Sequence, residues 1–517
     1  MAAGLRLADL LAGLSMVADL GFGLPPGTAV RSSLVAAALA RRMDLDDGDV
    51  RDSFYTALLM HVGCVAVAHE AATAFGDDIA LNRAVSRTNF GDPGDVVITL
   101  VPELTRGMPP DVAARASAFA LAHGAEWGRR ADTGVCEVAR DTARRLGLPD
   151  STQQALYHVY ESWRGRWVPE GLGGDDIPIA SRVARAAMDA AFFGQMGGVG
   201  AAVAALRQRA ATILDPGVVA AFAADAHALL AEADQGDPRD RLLDVEPEPA
   251  VERSAAQLTE LAAAFGDLAD VKAPFLHGHA KAVARLAVGG AGRLGLDDAE
   301  IERIGLMALL HDVGRVGVSN AVWEKRGPLT RVEWEQVRMH AYHSERILAT
   351  SPPLAPIATT AGMHHERLDG TGYHRSSTAA AIPMAARILA AADAFAAMTS
   401  TRPHRAALAG ERAARELAAE AEAGRLDHDA TRAVLAEAGQ PVGQRRPPRP
   451  AGLSDREIEV LILIAEGCSN AGVAERLFIS RRTAEHHVQH IYAKIGVSTR
   501  AAAALFAVQH DLVRVNG

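Results

Sequence analysis

The sequence predicts an all-α protein, on three observations. Aromatic residues make up only 5% of the chain and alanine is conspicuous throughout, a composition that favours helices over sheets. Apolar residues recur at three- and four-residue spacing, and few runs alternate. Helix starts are also explicit, as in the capping boxes of Thr330 with Glu333 and Ser454 with Glu457. At 517 residues the chain exceeds a single core, and its length suggests about three domains.

Composition narrows the function classes. Hydrophobic residues at 49% and charged residues at 22% are ordinary for a globular protein. Cys64, Cys136 and Cys468 are widely separated and form no CxxC pair, so no disulfide framework or structural zinc site is expected, and the cytoplasm is the expected location. Asp9 and Asp19 interrupt the apolar N-terminus, which reads as an amphipathic helix and not a signal peptide. Residues 190–206 are broken by Gln195 and several glycines and are expected to be too short and loose to span a bilayer, so no membrane partner is expected. A net charge of −10 argues against nucleic-acid binding by the chain as a whole. Residues 445–517, however, carry ten Lys/Arg against seven Asp/Glu, so any DNA contact belongs to this tail.

Two proline-rich stretches divide the chain: the acidic 234–252 and the basic 440–452, both read as extended connectors. Self-comparison then lays residues 27–63 ungapped on 278–314 at a constant offset of 251, and a second block beginning at Glu161 on one beginning at Glu366 at an offset of 205. The first copy therefore carries a 46-residue insertion between the blocks. Thr28 faces His279, Met60 faces His311, His61 faces Asp312, Cys64 faces Arg315, Val159 and Tyr160 face His364 and His365, and Met188 faces Asp393. The first copy keeps the apolar and turn positions, while almost every potential ligand is gone.

Those polar residues sit at helix ends in the second copy. Ile301, Ile304, Met307, Ala308 and Leu310 form a stripe that delivers the pair His311 and Asp312, before Gly314 stops the helix. His279 opens a helix, His340 is expected to end the one begun by Thr330, His364 and His365 close another, and Asp393 lies inside an apolar helix. Seven imidazoles and carboxylates flanked by alanine, leucine and isoleucine are costly to bury without a shared partner, and their mixture suits a divalent transition metal.

Taken together, GHA at His279, HDVGRVGV at His311, GPLTRVEWEQVRMH ending at His340, HHERLDGTGY at His364 and AAADAFAAMTS around Asp393 resemble the HD-GYP family of metal-dependent phosphohydrolases. The resemblance implies one metal held by His279, His311, Asp312 and Asp393 and a second by His340, His364 and His365, with Asp312 bridging. It makes Asp312 and Arg315 catalytic, Arg315 standing where the family usually has lysine. It also implies substrate contacts from Arg367, Asp369, Gly370, Gly372 and Tyr373. Such a metal pair polarises a phosphodiester and activates water near neutral pH; iron or manganese suits the mixed ligation. His374 replaces the proline of the family's name. Phe275 stands where some members have a glutamate that supports a third metal, so two metals are expected. The family's usual substrate is cyclic di-GMP.

In the tail, the stripe of Ile458, Leu461, Ile462 and Ala465, the stop at Gly467, a short helix to Leu477 and a capped basic helix from Arg481 make a helix-turn-helix. From Leu453 to Val513 this stretch resembles the LuxR-type DNA-binding domain, with Glu457, Ser469, Asn470, Ala474, Ser480, Thr483, His487, Lys494, Gly496 and Arg500 matching. The resemblance implies phosphate contacts from Ser480, Arg481, Arg482, Thr483 and Lys494 and base contacts from Glu485, His486 and Gln489. Its mild charge implies operator binding as a homodimer.

The expected organisation is a degenerate HD-like copy without metal ligands (1–233), an acidic linker (234–256), an HD-GYP phosphohydrolase (257–439), a basic linker (440–452) and a LuxR-type domain (453–517). The expected function is that of a transcription regulator hydrolysing or sensing a cyclic dinucleotide. Its rivals are a ligand-sensing transcription factor without turnover and a phosphohydrolase of another nucleotide.

Overall fold

The computed structural model describes residues 5–441, 450–510 and 512–513, apart from the side chains of 255 and 256. It is helical throughout, and among the described residues the only sheet is a two-residue antiparallel pair, Leu5–Arg6 with Glu252–Arg253. The chain forms two compact units, divided near Pro441. Residues 442–449 of the basic proline-rich stretch lie outside the described residues.

Within the first unit, helices recur in register. Thr28–Arg42 and His279–Arg293 each start after a glycine in the left-handed region, Gly27 at φ 85° and Gly278 at φ 78°. Asp47–Leu59 and Asp298–Leu310 follow, each capped by the aspartate before it. The second register extends further back than sequence comparison found: Pro110–Arg145 and Arg331–Thr350 end 205 residues apart, which sets Val135 where His340 stands. The inserted residues contribute Ala68–Phe75, Asp78–Arg87 and the first half of Pro110–Arg145, which bury a small apolar cluster of their own around Phe75, Leu81 and Leu104.

Three expectations are corrected. The acidic stretch is not extended. It folds into the helix Pro238–Val245 and the strand Glu252–Arg253, and is held down by Glu246, which accepts from Tyr55 and Arg6. Prolines stand at the first turn and after the last, where a helix tolerates them. The N-terminal helix Leu7–Phe22 is not amphipathic but buried on nearly every side, because it packs on Thr28–Arg42, Pro238–Val245 and Arg331–Thr350 at once. Both copies consequently share one hydrophobic core. Finally, residues 190–206 are not a short stretch but part of Ile179–Arg209, 31 residues whose helical run is interrupted by non-helical backbone at Gly197 and Gly198, the looseness expected of the glycines. It and residues 47–75 are long and apolar enough to cross a membrane by length and composition, yet Ala184, Ala187, Met188 and Phe192 of the former are buried in the shared core.

The second unit comprises Asp455–Ala465, Asn470–Arg476, Arg481–Ile495 and Arg500–Gln509 around Leu461, Ile464, Val473, Ala484 and Ile491.

Asp19 yields a pH prediction. Fully buried, it accepts from the backbone N–H groups of Gly27 (2.7 Å) and Ala29 (3.0 Å), as Asp270 accepts from Ala280 (2.9 Å) in the other copy. Burial pushes the Asp19 carboxyl up to about 7, against the pull of these donors. The folded chain thus favours protonated Asp19. The resulting stability is complete below about pH 4, the range of an unfolded aspartate, and is lost as pH rises through about 7. Asp19→Asn is expected to flatten the decline of Tm over this interval in calorimetry; an unchanged profile would contradict the assignment.

Candidate metal centre and DNA-reading helix

Five segments bring the seven candidate ligands together. His279 is the first residue of its helix, His311 and Asp312 follow Leu310, His364 and His365 lie just beyond Ala355–Ala361, and Asp393 lies in Met384–Thr399. His340 does not end its helix as expected. The helix runs on to Thr350, because Ile347 and Leu348 continue the buried stripe, so His340 projects from its middle. The ligand atoms form two clusters, His279, His311, Asp312 and Asp393 in one and His340, His364 and His365 in the other, each spanning at most 4.8 Å.

Asp312 joins them. Its Oδ2 lies 3.0 Å from His311 Nε2 and 3.5 Å from His279 Nε2, while Oδ1 lies 3.3 Å from His340 Nε2 and 3.4 Å from His364 Nε2. Asp393 Oδ1 is 3.1 Å from His279 Nε2, and Oδ2 is 3.6 Å from His365 Nδ1. Three imidazoles are held alike: Nδ1 of His311, His340 and His364 faces the carbonyl three residues earlier, on Ala308, Val337 and Ala361. Donation from Nδ1–H leaves each Nε2 lone pair directed into the centre, the tautomer a metal ligand needs.

The donor set fits divalent metal. His311 Nε2 and Asp312 Oδ1 are buried without a protein hydrogen bond, while Asp312 Oδ2 is met by the Arg315 guanidinium; the first two cost stability unless something else satisfies them. Burial would raise the Asp312 carboxyl, but Arg315 and His311 outweigh it and hold it well below the usual carboxylate range. Burial likewise opposes protonation of His311, yet Asp312 and Asp393 pull it up to about 10. Burial brings His340 down to about 4, despite Asp312. A cation in this centre therefore competes with a proton on His311.

Other side chains complete the site. Arg315 Nη2 lies 2.8 Å from Asp312 Oδ2, with its guanidinium 5.4 Å from the Trp323 ring centre. Tyr373 packs against His365 at 4.3 Å between ring centres. Gly370 is in the left-handed region at φ 80°, and a Cβ on Gly372 would come within 2.5 Å of Glu366 Cα. Exposed Asp369 accepts from Thr371 within the loop, and Arg367 Nη1 donates to the Glu366 carbonyl. Sequence reasoning missed three residues. Buried Glu366 pins the loop by accepting from Arg375 N and Ser377 N, as Glu161 does from Glu170 N and Gly171 N in the first copy. Trp323 donates from Nε1 to the Arg315 carbonyl. Arg402, over the Phe275 ring, is brought down to about 10 by burial and by Arg315. The available signal for Arg402 was a basic residue soon after the Asp393 helix.

Among the described residues, the first copy has no such centre. His61 stacks on Phe22 at 4.2 Å between ring centres, burial bringing it down to about 3, and Tyr160 lies under the Arg185 guanidinium.

In the second unit Ser480 caps Arg481–Ile495, and Arg481, Arg482, Thr483, His486 and Gln489 are exposed along its N-terminal half. Glu485 pairs with Arg481 at 3.2 Å. Lys494, expected among the phosphate contacts, lies at the far end of the helix, partly exposed and 2.7 Å from Glu457. That contact ties the reading helix to the first helix of the unit.

The geometry defines a paired histidine–aspartate centre able to hold divalent metal, in one chain with a helix-turn-helix unit. Residues 263–430 match the HD domain family, and residues 451–507 match the bacterial regulatory proteins of the luxR family. The 3′3′-cGAMP-specific phosphodiesterase 3 of Vibrio cholerae is 30% identical over 408 residues, 78% of this chain and 88% of that protein. The cyclic di-GMP phosphodiesterase of Thermotoga maritima is 37% identical over 143 residues, 27% of this chain and 39% of that protein. A crystal structure of a cyclic GMP-AMP specific phosphodiesterase from V. cholerae superposes with a TM-score of 0.58 and 25% identity, covering 85% of this chain and 99% of that one. The chain belongs to the HD-GYP family of metal-dependent phosphodiesterases and carries a LuxR-type DNA-binding domain.

Proposed function

We propose that the second copy hydrolyses a 3′3′-linked cyclic dinucleotide, cyclic di-GMP or cyclic GMP-AMP, and that its ligand state governs operator binding by a LuxR-type homodimer in the cytoplasm. The observation that carries this reading is Asp312, one oxygen facing each histidine cluster. His279, His311, Asp312 and Asp393 would hold one divalent ion and His340, His364 and His365 a second, bridged by Asp312; the mixed nitrogen and oxygen donors favour iron or manganese. When bound, such ions supply Lewis acidity toward the phosphodiester and acidify water. Arg315 and Arg402 hold negative charge on the phosphoryl oxygens, and Tyr373 offers a ring face or a hydroxyl to the nucleotide. The domain boundaries of this reading are 1–233 for the metal-free copy, 257–439 for the hydrolase and 453–517 for the DNA-binding domain, with the two copies sharing a core.

Elemental analysis, together with chromatography of products from both cyclic dinucleotides, tests the proposal. Linear dinucleotide formed in proportion to iron or manganese content is the expected result. Tight binding of either ligand without product would favour a sensor, and neither metal nor product would defeat the reading. For the tail, replacing Arg481 and Arg482 with alanine is expected to weaken binding to all DNA sequences alike and to lower the log–log salt slope by about 1 for each phosphate no longer neutralised. An unchanged slope in a fluorescence titration would remove these arginines from the interface.

A further inference from the structure

The first copy lacks the ligand set, yet one of its side chains reaches the flank of the second copy's centre. Asp78, at the start of Asp78–Arg87, is completely buried, and each of its oxygens is committed across the boundary. Oδ2 lies 2.6 Å from Nζ of Lys272, itself 1% exposed. Oδ1 accepts from Ser319 Oγ and from the backbone N–H of Asn320, both at 2.7 Å. Asn320 closes the arrangement by donating from Nδ2 to the Lys272 carbonyl at 2.6 Å. Nearby, His69 of the first copy lies 2.8 Å from Glu324.

Two charges are thus buried at a place where apolar residues would pack at lower desolvation cost, so stability is a poor explanation for the pair. What the pair holds is more informative. Ser319 and Asn320 begin the short helix Asn320–Trp323, whose last residue reaches the centre. Trp323 Nε1 donates to the Arg315 carbonyl at 3.2 Å, its ring lies beside the Arg315 guanidinium, and it meets the His340 ring edge-on at 5.6 Å between centres. Arg315 in turn contacts Asp312. Lys272 also stands two residues after Asp270, whose carboxyl fixes the N–H of Ala280 next to His279. A single carboxylate of the first copy therefore directly holds the segment that leads to Trp323, and reaches that of His279 only through Lys272 and Asp270.

We propose that Asp78, on the metal-free copy, is a positioning residue for the phosphodiester hydrolysis performed by the metal-bearing copy. It acts through Oδ1, which sets the 319–323 segment and hence the placement of Trp323 and Arg315, while Oδ2 neutralises Lys272. The inference rests on the phosphodiesterase reading of the second copy. Misplacing a reacting group by about 1 Å costs on the order of a hundredfold in rate, so a partial shift of Arg315 is expected to cost about tenfold.

Two double variants of the full chain separate positioning from stability. Asp78→Asn with Lys272→Met removes both charges but leaves a side-chain oxygen for Ser319 and Asn320. Asp78→Leu with Lys272→Met removes the charges and the acceptor together. The first is expected to keep kcat within about twofold of the native chain. The second is expected to lose about tenfold in kcat with KM and metal content unchanged, and to show faster amide exchange over residues 313–323. Equal kcat and equal exchange in the two variants would overturn the proposal. Should the leucine variant not fold, Ser319→Ala decides: a severalfold lower kcat at native Tm supports positioning, and a native kcat overturns it. A native chain that hydrolyses neither cyclic dinucleotide refutes the functional reading and this inference with it, whereas equal variants of an active enzyme refute this inference alone.

Discussion

Asp312→Ala is expected to abolish hydrolysis and empty the centre of metal. The carboxylate faces both histidine clusters, so alanine removes a ligand from each and leaves Arg315 buried without its 2.8 Å partner. Loss of shared metal chemistry is worth at least about a thousandfold in kcat, or roughly 4 kcal/mol of barrier. The histidines remain packed by their carbonyl partners, so the helices should persist and the circular dichroism should stay native. Elemental analysis beside a product assay reads the result. Activity within tenfold of native, or undiminished metal, would remove Asp312 from the bridging position.

The second large effect is expected from Gly314→Ala. A Cβ at Gly314 would stand 2.2 Å from the His340 carbonyl oxygen and 2.4 Å from Ser344 N, both backbone atoms that cannot rotate away. The Gly314 N–H also donates to Ser344 Oγ at 2.9 Å, so the segment after Asp312 lies directly against the helix that carries His340. Alanine must push this helix outward and with it the His340 imidazole. A loss of about 2–4 kcal/mol in stability is expected, typical of a buried steric insertion, together with a fall in kcat of about a hundredfold. The first copy supplies the control. A Cβ at Gly63 would stand 2.1 Å from the Val135 carbonyl oxygen, the same clash with no ligand on the displaced helix. Gly63→Ala should therefore destabilise to a similar degree while leaving metal content largely intact. If the two substitutions lower metal content equally, the clash at Gly314 acts only through global stability.

The candidate residues of the centre were legible in the chain because imidazoles and carboxylates at apolar helix ends stand out from their surroundings. His311 and Asp312 are adjacent, His364 and His365 are adjacent, and each remaining ligand lies on a recognisable helix, so the candidate set could be assembled before any contact was known. Helix starts were equally legible where a cap announced them, as at Thr330 and Ser454. His340 shows the limit: the motif ends there, but the buried stripe through Ile347 and Leu348 carries the helix on to Thr350.

By itself, the sequence determined the all-α class, the two offset registers and the helix-turn-helix, because each is encoded in periodicity, caps or local spacing. Only the tertiary structure decided that the acidic stretch folds back onto the first copy, that Leu7–Phe22 is buried on nearly every side, and that Asp78, Trp323 and Arg402 belong to the surroundings of the centre. Each of these depends on contacts between residues distant in the chain, such as Asp78 with Lys272 or Arg6 with Glu246, and pairing at such separations leaves no periodic trace. Burial then gave those contacts their energetic weight, by removing the water that would otherwise have satisfied the same groups.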